Sequence, residues 1–123
     1  MFRVAVPILG VSESAKAEDF YCGKVGFRRT FAYRPDPDRL DPCYMGIARD
    51  GAQMVISSFG PEGPPGSRTV QIFVEDIVAL RDELTKAGIT SLGDILDQEW
   101  GLLDMGMSDP DGNKITFSQV KGS

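Results

Sequence analysis

The sequence contains no histidine and only two cysteines, Cys22 and Cys43. Without histidine the chain lacks the commonest metal ligand and the usual base near neutral pH. Its serines and cysteines also lack the partner that would activate a nucleophile. Neither cysteine sits in a context that promises a low thiol pKa, and their spacing is not of the metal-binding type. The opening run Met1-Phe-Arg-Val-Ala-Val-Pro-Ile-Leu9 is short and strand-like, with no long apolar core or cleavage site, so no signal peptide is expected. Free thiols in a cytoplasmic protein follow from that reading. No apolar stretch approaches the ~20 residues that cross a bilayer, which argues against a membrane partner. Net charge is −5 and the pI is near 4.6, which argues against nucleic acid or an anionic membrane surface.

What is present fits one compact domain over residues 1–123, long enough to bury a core without staples. Hydrophobic residues make up 41% and charged residues 25%, so disorder is not expected. Asp109-Pro-Asp-Gly-Asn-Lys-Ile-Thr-Phe-Ser118 has a weaker copy in Asp50-Gly-Ala-Gln-Met-Val-Ile-Ser57. Gly112 and Gly51, Gly88 and Gly26, and Asp76 and Glu13 pair at offsets of 61, 62 and 63 residues. A repeat at nearly one spacing predicts a duplicated module, with pseudo-repeats at about 1–59 and 67–121. Paired modules create a cleft between equivalent sheets, and clefts bind small molecules.

Val4, Val6 and Ile8 share one face of an expected first strand, with Ala5 and Leu9 on the other. Ser12-Glu-Ser14 offers N-caps for a helix carrying Ala17, Phe20, Tyr21 and Val25 and closed by Gly26. Strands are expected over Phe27–Tyr33, Tyr44–Arg49 and Gln53–Ser57, the last two joined at the hairpin signal Asp50-Gly51. Pro35 to Pro42 reads as a turn-rich loop, and Gly60-Pro-Glu-Gly-Pro-Pro-Gly66 as the crossover between modules. In the second half, Thr69–Val74 alternates, and Asp76 caps a helix burying Ile77, Leu80, Leu84 and Ala87 before Gly88. Strands over Gly93–Gln98, Leu102–Ser108 and Lys114–Gln119 complete the pattern. Each half reads β-α-β-β-β.

This order, with Val6-Pro-Ile-Leu-Gly-Val-Ser-Glu13, Phe20-Tyr21, Val25-Gly-Phe27, Val74-Glu-Asp-Ile77, Leu84-Thr-Lys-Ala-Gly88, Trp100-Gly101 and Asp109-Pro-Asp-Gly-Asn113, resembles the vicinal oxygen chelate superfamily. That superfamily includes glyoxalase I, extradiol dioxygenases, and the fosfomycin and bleomycin resistance proteins. The resemblance implies an α+β fold: two β-α-β-β-β modules forming curved mixed sheets around a cleft. It also implies a homodimer. Metal-dependent members carry His, Gln or Glu at inward positions that align with Val6, Val55, Thr69 and Thr116 here. Valine has no lone pair and a threonine hydroxyl is a poor ligand for zinc, iron or nickel, so neither a metal nor another cofactor is expected. A register slip by one residue would bring in Ala5, Met54, Ile56, Val70, Ile115 and Phe117, none of them a strong ligand. Among the carboxylates, Glu13 and Asp76 sit at helix starts, while Asp109 and Asp111 are expected to shape the final turn through Asx hydrogen bonds.

The missing ligands and the phrase Gln98-Glu-Trp-Gly-Leu-Leu-Asp104 most resemble the bleomycin resistance-type binding proteins, which sequester drugs without transforming them. Trp100 then either stacks on a ligand from the cleft rim or plugs the end of its sheet. Phe31, Tyr33 and Phe59 are further ligand candidates, with packing as the alternative role. Thr69, Gln71, Thr116 and Ser118 lie on the less apolar faces of their strands and would offer hydrogen bonds if helices cover the opposite faces. Met45, Met54, Met105 and Met107 are either adaptable lining or core filler. Asp97, Glu99 and Asp104, with Asp36, Asp38 and Asp41, either favour a cationic ligand or form solvated loop surface. The leading expectation is a metal-free, homodimeric small-molecule-binding protein, with an aromatic or cationic antibiotic as ligand class and no catalytic residue. Two alternatives stand beside it. One is a metal-dependent lyase, isomerase or dioxygenase with an atypical ligand set; the other is a non-catalytic interaction module.

Overall fold

The computed structural model describes residues 1–61 and 63–122; Glu62, within the crossover, and Ser123 lie outside the described residues. Ten elements follow in order: β1 (Ile8–Gly10), α1 (Ser14–Tyr21), β2 (Arg28–Tyr33), β3 (Tyr44–Arg49), β4 (Ala52–Ser57), β5 (Thr69–Phe73), α2 (Ile77–Lys86), β6 (Leu96–Asp97), β7 (Leu102–Ser108) and β8 (Lys114–Val120). They form two four-stranded mixed sheets, ordered β1-β4-β3-β2 and β5-β8-β7-β6. In each sheet the outer pair at the helix-preceding strand is parallel, and the other two pairs are antiparallel. The α+β architecture implied by the resemblance is present.

Strand alternation decides which face is buried. Leu9, Met45, Ile47, Met54 and Ile56 of the first sheet point to the same core as Met105, Met107, Ile115 and Phe117 of the second. The four methionines in question are all core filler, each at most 2% exposed. Tyr21, Ala17 and Phe20 from α1, and Ile77 and Leu84 from α2, complete that core, so each helix covers one side of its sheet.

Several boundaries differ from expectation, each for a local reason. The first strand begins at Ile8, and Val4 and Val6 are exposed outside it. Pro7 has no amide hydrogen, so although its carbonyl accepts from Val55 N at 2.9 Å, the ladder stops there. Helix α1 ends at Tyr21 with Cys22 as C-cap, and Gly26, at φ +88°, closes the turns that follow. The expected Gly93–Gln98 strand shrinks to Leu96–Asp97, an edge strand paired with β7 and closed by a turn in which Gly101 N bonds Gln98 O.

The cap of α1 comes from elsewhere in the chain. Glu13 occupies the cap position without a side-chain capping bond, and the Ser14 amide donates to Asp41 Oδ1 at 3.1 Å. Ser12 instead turns to Asp111, donating from its amide and its hydroxyl. Asp41 therefore pins the proline-rich loop to the helix start, where a negative charge is favoured. Burial works to raise its pKa, but hydrogen bonds from Ser58 and Ser14 and the charge of Arg34 outweigh it, holding the carboxyl below its ordinary value. Helix α2 behaves as read: Asp76 accepts from Ala79 N at 3.0 Å, and Gln119 Oε1 from β8 takes the Ile77 amide at 2.7 Å.

The two modules are tied by the Asp109–Asn113 turn. Asp109 Oδ1 accepts from the amides of Asp111 and Asn113, the Asx arrangement expected of this motif. Its Oδ2 accepts from Tyr21 Oη at 2.7 Å and from Asn113 Nδ2 at 2.9 Å. Burial, with the adjacent Asp109 charge and its hydrogen bond, drives the Tyr21 phenol far above its ordinary pKa, so it stays a donor. Asn113, fully buried, also donates to Gly10 O and accepts from the Arg68 amide. Arg49 and Glu83 add a bidentate pair between β3 and α2, in which the Arg49 hydrogen bond holds the Glu83 carboxyl low.

Candidate functional site

The sheet faces opposite the helices carry the residues singled out for ligand binding. On the first sheet the register places Tyr33 opposite Tyr44 and Phe31 opposite Gly46. Phe31 stacks with Tyr44 at 6.2 Å between ring centroids, and Tyr33 lies parallel to Phe59 at 6.4 Å. Gly46 makes room for this group, since a Cβ there would sit 2.3 Å from Phe31 Cε1. Phe31, Tyr33 and Phe59 are 48%, 57% and 40% exposed, a group of rings left largely uncovered by the rest of the chain.

On the second sheet Gln71 lies opposite Thr116 and Phe73 opposite Ser118, with Asp104 and Gly106 the next residues across on β7. Gln71 Nε2 donates to Ser118 Oγ at 2.9 Å, and Ser118 Oγ donates to Asp104 Oδ1 at 2.6 Å. Thr69 stands at the end of β5 opposite Lys114, exposed and further from this chain of bonds. Val70, Ile72, Ile115 and Phe117 take the core side, which settles the direction of the other four. Trp100 lies in the turn between β6 and β7 and is 67% exposed.

The structure therefore gathers Phe31, Tyr33 and Phe59 into one group and Gln71, Thr116 and Ser118 into another. Among the described residues no hydrogen bond or ring contact joins the two groups. A separate groove of about 880 Å³ runs between the N-terminal arm, the β3–β4 hairpin, β5 and α2, and of the eight expected residues only Gln71 lines it. Reading the sequence missed Tyr44, Phe73 and the two glycines. Tyr44 had one detectable signal: its place just after the proline loop puts it across from Tyr33 if the two strands pair.

A family model described as Glyoxalase superfamily protein matches residues 1–123. The chain belongs to the glyoxalase superfamily. No functionally curated protein matches it. Among solved structures it is similar to TnmS3, an antibiotic binding protein from Streptomyces sp. CB03234, with 28% identity, TM-score 0.78, and 98% of this chain and 99% of that one covered. A glyoxalase/bleomycin resistance protein/dioxygenase superfamily member from Sphaerobacter thermophilus aligns at 26% identity and TM-score 0.75, over 96% and 98% of the two chains. The fold is also that of the bleomycin-binding protein from Streptomyces verticillus solved with copper(II)-bleomycin, at 22% identity and TM-score 0.74, over 95% of each chain.

The positions at which the resemblance implies metal ligands hold Val6, Val55, Thr69 and Thr116. The observed pairing of Ile8 with Val55 and of Gln71 with Thr116 gives the two sheets equivalent registers at Val55 and Thr116, whereas Val6 lies before β1, outside the paired residues, and Thr69 pairs with Lys114. The neighbours that a slipped register would bring in, Met54, Ile56, Ile115 and Phe117, are buried in the core. Two valines and two threonines do not fit a transition metal. Among the described residues no three His, Cys, Asp or Glu side chains come together as a metal-holding group. No helix of the described chain is long and apolar enough to cross a membrane.

Proposed function

We propose that this glyoxalase-superfamily chain is a metal-free binding protein that sequesters a small, partly aromatic molecule, with antibiotics as the leading class. The observation that carries this reading is the uncovered ring group of Phe31, Tyr33, Tyr44 and Phe59, set on a rigid sheet face in a scaffold whose metal-ligand positions hold no ligands. Aromatic pairs arranged this way offer flat apolar surface at little entropic cost, and stacking contributes about 0.5–1.5 kcal/mol beyond area burial. Likeness to an antibiotic binding protein at 28% identity supports the ligand class. Trp100, Thr69, Gln71, Thr116 and Ser118 belong to the same proposed site, on the polar half.

The test is a fluorescence titration of Trp100, the single tryptophan, with bleomycin and a panel of aromatic cationic antibiotics, corrected for ligand absorbance. A saturable change with one ligand per cleft is expected. Calorimetry that finds no heat for any of them would remove sequestration of these drugs as the function.

The same reading includes a homodimer. Two half-sites on separate sheet faces, each open on its own, call for a second copy to complete a cleft, as the superfamily resemblance implies. Light scattering at micromolar concentration is expected to give twice the 13.4 kDa chain mass. A monomer's mass would count against it.

A further inference from the structure

The polar half of the proposed site contains a carboxylate that the fold orients but does not neutralise. Asp104 lies on the uncovered face of β7, half-buried, and among the described residues no lysine or arginine pairs with it. Among the described residues its carboxylate accepts one hydrogen bond, from Ser118, which is fully buried. The directions of this chain are chemically forced. An ionised carboxylate only accepts, so the Ser118 hydroxyl must donate to Asp104 and accept from the next group. Gln71 must then turn its NH₂ toward Ser118, which leaves its carbonyl oxygen without a protein partner. Two acceptor oxygens, Asp104 Oδ2 and Gln71 Oε1, remain for a ligand, beside the second N–H of the Gln71 amide.

The frame around these acceptors is apolar. Phe73 flanks Ser118 on one side and Leu96 flanks Asp104 on the other; they are 59% and 56% exposed. Beside Asp104 on the same face, Gly106 has nothing within 4 Å of the place its Cβ would take, so the floor is open.

We infer that Asp104 is the specificity-determining residue of the site, held by the Ser118–Gln71 relay to receive the ammonium or amidinium group of an organic cation whose apolar part rests on Phe73 and Leu96. This rests on the ligand-binding reading and narrows it to cations. A planar amidinium presents paired N–H donors that match a carboxylate, and such charge-assisted bonds are about twice as strong as neutral ones.

The probe is benzamidinium, compared with the uncharged isostere benzamide, followed through the amide resonances of Asp104 and Ser118 in the full chain. Asp104→Asn removes the charge and still offers Ser118 an acceptor, so the fold is expected to survive, as circular dichroism will check. Saturable shifts with benzamidinium, at least tenfold weaker with benzamide and at least tenfold weaker in Asp104→Asn, are expected. Equal response to the two probes, or unchanged affinity in Asp104→Asn, overturns the assignment. Failure here is separable from failure of the sequestration reading. Antibiotics that bind wild type and Asp104→Asn alike leave sequestration standing and remove Asp104. Benzamidinium binding at Asp104 with no antibiotic bound removes sequestration and keeps the cation site.

Discussion

Asn113→Ala is expected to lower the unfolding free energy by about 3 kcal/mol. The side chain makes three bonds, to Gly10 O, to Asp109 Oδ2 and from the Arg68 amide, at 2.9, 2.9 and 3.0 Å, from a fully buried position. Each is worth about 1 kcal/mol net, and water has no access to replace them. Urea unfolding should show a lower midpoint with an unchanged slope, the mark of lost stability with an intact fold. Asn113→Asp tests the reason. Its carboxylate restores the acceptor for the Arg68 amide but sets oxygen against Asp109 and the Gly10 carbonyl, where a donor is required. It is expected to be at least as destabilising as alanine. A stability equal to wild type in either variant would mean that the turn is not the tie described above.

Gly66→Ala acts on the same turn from the opposite side and is expected to cost about 3 kcal/mol or more. Gly66 has φ +82°, and its amide bonds the Gly10 carbonyl at 3.2 Å. A Cβ there would lie 1.9 Å from the Asp111 carbonyl oxygen and 2.8 Å from its carbon. Those are backbone atoms of a turn already held by Asp109, so they cannot swing aside as a flexible side chain would. Gly60→Ala is the control: at φ +105° it carries conformational strain, but nothing lies within 4 Å of its added methyl. The difference between the two variants isolates the steric part. Thermal or urea unfolding that ranks them equal would refute the close approach. Losses from Gly66→Ala and Asn113→Ala should not add, because both loosen one structure.

Local pattern made the fold legible. Alternation in Thr69–Phe73 assigned its faces correctly, and Asp76 and Gly88 marked the ends of the second helix, because these signals act within a few residues. The offset between halves carried the duplicated strand order. What escaped was everything set by distant partners. The N-cap position falls at Glu13, within the expected Ser12–Ser14 segment, but no local rule connects the Ser14 amide to its acceptor in Asp41. The interrupted first strand follows from Pro7, a residue visible in the sequence whose missing donor was not weighed against the alternating Val4, Val6 and Ile8. For the candidate site, the sequence named Thr69, Gln71, Thr116 and Ser118 on their polar faces and three of the four rings. Tyr44 depended on a cross-strand register interrupted by a bulge between Arg29 and Phe31, and the Ser118–Asp104 bond on strands meeting across a turn.

The bond from Tyr21 to Asp109 also has a meaning for synthesis. It spans 88 positions, and that from Asn113 to Gly10 spans 103. As the chain leaves the ribosome, the first module is complete long before its phenol has an acceptor in Asp109, while the Gly10 carbonyl has the Gly66 amide early and gains the Asn113 amide only at the end. The early half can collapse and pair its strands, but the Tyr21 hydroxyl gains its Asp109 acceptor only when the final hairpin arrives. Closure of the turn at Asp109 thus satisfies groups from both halves at once.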